Sequence, residues 1–301
     1  MFRLEQVTKA YRPRLGFSRE GTVAVRSLSL EIGRGVFGLV GPNGAGKTTL
    51  IRMLTSILRP TAGRICFEGT PLPQNAGTLR KRLGYLPQEF GFYPYWTVTE
   101  ALGYGCWLKA IPGQRASAEI LRTLELAGLQ EHRNKWVRHL SGGLKKRLGI
   151  AFALLGDPDV VIVDEPTAGL DPEERVRFRL LMESLGLRGL TLVSTHIIDD
   201  LTHGANALAM MKDGELAAVG SPKGFLDRTA RNVFEGEVHG SFLSHLPKGA
   251  RVVHVRRAGE SVLVRLVAEQ LPSDAFSPAT PSLEDAYLYI ISREHRSDDA
   301  Q

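Results

Sequence analysis

The chain has 301 residues, 43% of them hydrophobic and 23% charged, a composition that excludes a collagen-like or fully disordered chain. At roughly 100–200 residues per domain, it has room for one large or two modest domains with a sizeable core. The 38 Lys and Arg outnumber the 32 Asp and Glu for a net charge of +6, a mild hint of an anionic partner that a solvated basic surface explains better. Cys66 and Cys106 form no CxxC pair and are expected as buried free thiols in a reducing compartment. No apolar run approaches the roughly 18 residues of a membrane span. Met1 to Tyr11 lacks the apolar stretch of a signal peptide. A cytosolic chain that meets a membrane only through a partner is therefore expected.

In chain order, Val36-Phe37-Gly38-Leu39-Val40 is a short apolar run ending in a glycine loop, the pattern of a buried strand. Leu50, Ile51, Leu54 and Leu58 then recur at helical spacing up to Pro60. The stretch from about 89 to 157 reads as mainly helical. There Thr97 and Glu100 make a capping-box signature, Ile120, Leu121, Leu124 and Ala127 form a stripe, and Gly128 suits a C-cap. Val160 to Val163 is a second strand, ending in Asp164 and Glu165. A helix carrying Phe178, Leu181, Met182 and Leu185 on one face precedes Gly186, and Leu190 to Val193 is a third strand running into Ser194-Thr195-His196. Strands alternating with helices imply a mostly parallel sheet covered on both faces. From about residue 229 the character changes. Arg251 to Arg257 and Ser261 to Val267 predict a hairpin around Ala258-Gly259-Glu260, Ser282 to Asp285 fits a capped helix start, and Ser297 to Gln301 is expected to fray.

The chemistry concentrates at a few positions. Gly41-Pro42-Asn43-Gly44-Ala45-Gly46-Lys47-Thr48 fits GxxxxGK[ST]. Glycines let such a loop curl its N–H groups around phosphate, and the following helix adds its dipole. Lys47 would reach the β- and γ-phosphates, and Thr48 would ligate Mg²⁺. This loop alone does not choose between kinases, GTPases, helicases and transport ATPases. Leu140-Ser141-Gly142-Gly143, before a helical pattern, is a second anion-binding helix start with Ser141 as N-cap.

With these two elements the chain resembles the ATPase subunit of ABC transporters. Leu140 to Gly143 is similar to the family's signature motif, with Leu144 where many members carry Gln, and Val160 to Glu165 is similar to the Walker B strand. The resemblance, over residues 1 to about 228, implies a set of roles. Gly41, Pro42, Asn43, Gly44, Ala45, Gly46, Lys47, Thr48 and Thr49 bind ATP, with Thr48, Gln88 and Asp164 around Mg²⁺. Glu165 polarises the attacking water, His196 contacts the γ-phosphate, and Gln88 senses both metal and water. Asp171 belongs to the D-loop with Gly169 and Leu170, Ser141, Gly142 and Gly143 face the nucleotide of a second subunit, and Tyr11 stacks on adenine unless Phe17 does. No guanine-reading Asn-Lys-x-Asp occurs, since Asn134-Lys135 continues Trp136-Val137, and aromatic stacking tolerates any base, so ATP is expected by family and cellular abundance, with weak discrimination against GTP.

The implied fold is α/β: a P-loop NTPase core with a mostly parallel sheet, an antiparallel β edge and an inserted helical subdomain (89–157) within a domain of residues 1–228. A small α+β accessory domain (229–301) follows. One set of motifs per chain requires a second nucleotide-binding subunit, expected as a homodimer. Phe90, Phe92, Tyr93, Tyr95 and Trp96, broken by Gly91 and Pro94, are expected to receive a cytoplasmic helix of an integral-membrane permease. The wording of the segments, with Pro281 to Leu288, resembles ABC-2-type exporters. An importer motor, a soluble ATPase on ribosomes or DNA, and a non-catalytic module are the alternatives. Arg80-Lys81-Arg82 and Lys145-Lys146-Arg147 read as solvated helix faces, so no nucleic acid is expected.

Overall fold

Alternating apolar runs and helical stripes produce three sheets in the structure, a computed structural model that describes residues 1–11, 21–167, 170–202, 204–247, 249–259 and 261–298. Phe17, Gly169, Glu260 and residues 299–301 lie outside the described residues. The strands are β1 (Phe2–Tyr11), β2 (Thr22–Ile32), β3 (Gly35–Val40), β4 (Ala62–Phe67), β5 (Thr70–Pro71), β6 (Leu83–Leu86), β7 (Val160–Asp164), β8 (Leu190–Thr195), β9 (Ala207–Lys212), β10 (Glu215–Gly220), β11 (Val233–Val238), β12 (Arg251–Ala258), β13 (Ser261–Val267) and β14 (Phe276–Pro278). The helices are α1 (Lys47–Leu54), α2 (Leu72–Arg82), α3 (Val98–Leu108), α4 (Gly113–Leu126), α5 (Gly142–Ala153), α6 (Pro172–Gly186), α7 (Pro222–Thr229) and α8 (Leu283–Asp298).

The central sheet has the order β10-β9-β3-β8-β7-β6. All its neighbours pair in parallel except the β9–β10 hairpin. Alternate residues of its strands sort to opposite faces. Phe37, Leu39, Ile162 and Leu192 pack with Leu50, Ile51 and Leu54 of α1 in one core, which continues under the antiparallel sheet β2-β1-β4-β5. Val40, Val161, Val163 and Val193 pack on the other side against Phe178, Met182 and Leu185 of α6. Phe225 of α7 and Leu283 and Ala286 of α8 join that second core. A third core gathers Leu102, Cys106, Leu124, Leu148 and Leu155 from α3, α4 and α5 and the turn after α5. The sheet β12-β13-β11-β14 has its own small core around Phe234, Leu266 and Phe276. Among the described residues, no helix is long and apolar enough to cross a membrane.

Local signals hold at several termini. Thr97 and Glu100 form the capping box of α3, and Ser282 and Asp285 exchange the equivalent bonds at α8. Four details differ from expectation. Helix α1 stops at Leu54, because Ser56 turns the chain at φ +60°, although Leu58 still packs against the core. Gly186 is the last residue of α6 rather than a stop beyond it. A Cβ there would lie 2.6 Å from Val36 Cγ2, so glycine allows the helix to approach β3. Leu121 is 55% exposed, which narrows the α4 stripe to Leu124 and Ala127 with Ile120 at its margin. Cys106 is buried as expected, but Cys66 is only half-buried.

Lys109, just past α3, reaches inward to the carbonyls of Leu83 (3.3 Å), Ala153 (3.5 Å) and Leu155. Burial pushes its ammonium from 10.5 down to about 8, against the opposing pull of Glu119. Between those values the unfolded chain holds a proton that the folded chain has released, so this group adds stability as pH rises from about 8 to 10.5. Relative to Lys109→Met, the wild type should gain up to about 3 kcal/mol between pH 7.5 and 10.5. Denaturant titrations of both proteins across that range measure it; parallel curves would refute the depressed value.

Candidate functional site

The carboxyl ends of β3, β8 and β7 lie side by side, the edge of a parallel sheet where ligands bind. From β3 the chain enters the loop Gly41 to Gly46 and then α1. Gly46 has φ +96°, and a Cβ on it would lie 2.3 Å from the Ala24 carbonyl, so the loop curls only with glycine here. The β9–β10 hairpin backs the loop from behind. Its Asp213-Gly214 turn receives a bond from Arg26 N–H (2.8 Å), and Gly214 N–H donates to the Ala45 carbonyl (3.2 Å). Lys47, first residue of α1, is buried and donates to the Gly41 (2.7 Å) and Pro42 (3.2 Å) carbonyls.

Lys47 Nζ also lies 3.3 Å from Glu165 Oε1, and Glu165 Oε2 meets His196 Nδ1 at 2.8 Å. Residues from three strand ends, far apart in sequence, thus form one contiguous acid–base cluster. Glu165 takes the left-handed conformation, φ +49°, which costs a residue with a Cβ of order 1–3 kcal/mol. Its N–H holds it there by donating to the Ser194 carbonyl (3.1 Å) and to the Ser194 hydroxyl oxygen (3.0 Å). The same hydroxyl donates to Asp164 Oδ1. Ser194, opposite Asp164 in the β7–β8 register, therefore aims both carboxylates.

Asp164 Oδ2 is buried with no hydrogen-bond partner among the described residues. An orphaned carboxylate oxygen beside a phosphate-type loop suits a hard divalent cation such as Mg²⁺, bound directly or through water. Thr48, half-buried in the first turn of α1, is the second oxygen donor at this end of the sheet. Thr49 Oγ1 lies 3.3 Å from the Tyr11 hydroxyl, which sets the partly exposed Tyr11 ring beside the loop helix. Gly44, with open space where a Cβ would stand, faces outward.

Other expected residues stand apart from this cluster. Gln88 follows β6 as an exposed side chain with no hydrogen bond among the described residues. Ser141 accepts from Leu144 N–H (3.3 Å) and caps α5, leaving Ser141 and Gly142 exposed at the helix N-terminus. Asp171 caps α6 by accepting from Glu174 N–H (2.9 Å).

The five aromatics divide. Phe90 and Phe92 pack partly into the cores, whereas Tyr93 (58% exposed) and Tyr95 (61% exposed) face outward. Phe90, Phe92, Tyr93 and Trp96, with Tyr104 and Phe152, line a groove of about 420 Å³. The basic runs are divided, with Lys81 and Lys145 exposed as expected of solvated helix faces and other members engaged internally. Arg82 pairs with Asp159 and Glu68, Lys146 donates to the Pro166 carbonyl, and Arg147 pairs with Glu174. Ser194 escaped sequence reasoning because a serine inside an apolar strand carries no signal until its register partner is known.

Residues 25–168 match the ABC transporter family. Over 306 residues the chain is 32% identical to the uncharacterized ABC transporter ATP-binding protein YxlF of Bacillus subtilis, covering 97% of this chain and 99% of that one. It is 39% identical over 280 residues to the Nod factor export ATP-binding protein I of Burkholderia orbicola, covering 89% and 91%. A bacterial ABC transporter cassette solved as a dimer superposes with TM-score 0.67 at 26% identity, over 74% of this chain and 99% of that one. The chain belongs to the ABC transporter family as an ATP-binding, ATP-hydrolysing subunit.

Proposed function

We propose that this chain is the ATP-hydrolysing motor of an ABC-2-type membrane exporter, working as a homodimer on a separate permease. The observation that carries the catalytic part is the buried Lys47–Glu165 pair met by the exposed His196, with the unpartnered Asp164 oxygen beside it. Glu165 accepts a proton from the attacking water, and His196 holds that carboxylate in place. The loop N–H groups and Lys47 bind the phosphates, with Tyr11 against the base. Thr48 and Asp164, with Gln88, would hold Mg²⁺, which when bound would supply positive charge against the phosphates. Ser141 to Gly143 and Asp171 complete the site of the second subunit, so ATP favours the closed dimer by mass action and its hydrolysis reopens it.

Likeness to a protein named for Nod factor export supports the exporter direction. The groove bordered by Tyr93 and Trp96 gives the permease's cytoplasmic helix an apolar seat. That partner would keep the chain on the cytoplasmic face of the cell membrane. Residues 1–228 would form the nucleotide-binding domain, with 89–157 as its helical subdomain and 229–301 as an accessory domain. The test is affinity isolation of the full chain from gently solubilised cells, with partners identified by mass spectrometry, followed by transport in reconstituted vesicles. A multi-span protein at near-equal amounts that carries substrate out of the ATP-containing compartment is expected. Transport toward that compartment, dependent on a binding protein, would replace exporter by importer. Ribosomes or DNA in place of a membrane protein would overturn the reading.

A further inference from the structure

Beside the aromatic groove stands a charge without a counter-charge. The Arg138 guanidinium lies 4.9 Å from the Tyr95 ring centroid and 4.3 Å from that of Trp136, and Trp136 stacks in turn on His139 (5.6 Å, 21° between planes). Tyr95, Trp136 and Arg138 are all exposed. Among the described residues, no acceptor meets the Arg138 guanidinium in a hydrogen bond or ion pair. Two rings attract the guanidinium by cation–π contact, and its N–H groups, without an acceptor among the described residues, form a planar fork that matches a carboxylate. The surrounding segment adds no competing acid: His132 to Arg147 contains six Lys or Arg and no Asp or Glu.

The backbone connects this spot to the signature helix. Arg138 N–H donates to the Pro94 carbonyl (3.0 Å) and Val137 N–H to the Trp96 carbonyl (2.8 Å). The loop is thereby fastened to the aromatic segment, and three residues later Ser141 caps α5.

We infer that the permease segment seated in the groove carries an Asp or Glu whose carboxylate binds Arg138, and that this ion pair transmits docking to the Ser141 end of α5. The inference rests on reading the groove as the permease's seat. A carboxylate fits better than a lipid phosphate, because the open fork adjoins the apolar groove that a helix fills and one acidic side chain on that helix reaches both.

The experiment uses the full chain with its permease in nanodiscs. A photo-reactive phenylalanine analogue at Tyr93 identifies the docked segment. Permease-stimulated ATPase is then compared with the basal rate of the chain alone for Arg138→Glu and Arg138→Lys. Cross-linking to an acid-bearing segment is expected. Stimulation should fall at least about tenfold in Arg138→Glu and partly in Arg138→Lys, with basal rate and KM for ATP unchanged. Replacing the permease acid by Arg should restore stimulation to Arg138→Glu. Cross-linking with unchanged stimulation in Arg138→Glu would overturn the ion pair and leave the groove reading intact. No permease cross-link at Tyr93 would overturn both. A raised KM for ATP with normal stimulation would place Arg138 on nucleotide. Arg138-dependent binding of the chain to phosphatidylglycerol vesicles, with normal stimulation, would place it on lipid; either result defeats the inference.

Discussion

Glu165→Gln should reduce ATP turnover by about 10²–10⁴-fold, equivalent to about 3–5 kcal/mol of transition-state stabilisation, while leaving ATP affinity within a few-fold. The amide keeps the shape of the side chain but cannot accept a proton from water. Its backbone is held independently, by two bonds from the Glu165 N–H to Ser194, so the left-handed turn after β7 survives the change. With hydrolysis blocked, ATP continues to stabilise whichever state binds it best, and a closed dimer should accumulate. Steady-state phosphate release gives the rate, and size-exclusion chromatography with light scattering in Mg-ATP gives the assembly. Turnover within tenfold of wild type would remove Glu165 from the role of base. A persistently monomeric variant in saturating ATP would instead contradict the ATP-favoured closed dimer.

Lys47→Ala should act one step earlier, on binding. Charge-assisted hydrogen bonds are worth roughly 1.5–3 kcal/mol each, so loss of the ammonium should weaken ATP by about 10- to 100-fold. The variant also leaves Glu165 without its cation 3.3 Å away and releases the Gly41 and Pro42 carbonyls. Titration calorimetry with Mg-ATP distinguishes this from Glu165→Gln, since the two variants should separate binding from chemistry. Unchanged ATP affinity would show that the loop binds phosphate without its lysine.

These two residues were legible from sequence because each sits at a break in pattern: an apolar run stops, and glycines or paired acids follow. Strand ends at β3, β7 and β8 could be read in the same way, since a strand covered on both faces is nearly continuous in Val, Ile and Leu. Lys109, Ser194 and Arg138 could not be found so. Each owes its character to neighbours distant in sequence: the Ala153 and Leu155 carbonyls, Asp164 across the sheet, and the Tyr95 ring. Polar residues of this kind have no periodicity to betray them. Helix boundaries failed for a related reason. Helix α1 ends where Ser56 turns, although hydrophobic spacing runs on to Leu58, because burial and helicity share residues without sharing limits.

The second core has a consequence for the order in which the chain is made. Val163 and Val193, whose strands lead into the acidic pair and the histidine, share that core with Leu283 and Ala286, whose helix packs on α7, β10 and the Ile198–Leu201 turn after β8. Ninety residues separate Val193 from Leu283. At ribosomal speeds of about 5–20 residues per second, that core waits roughly 5–18 s for its last members. During synthesis it is an apolar surface awaiting its last piece, open to chaperones or to neighbouring nascent chains. Slowing translation between codons 193 and 283 should therefore lower the soluble yield more than the same slowing upstream of codon 160.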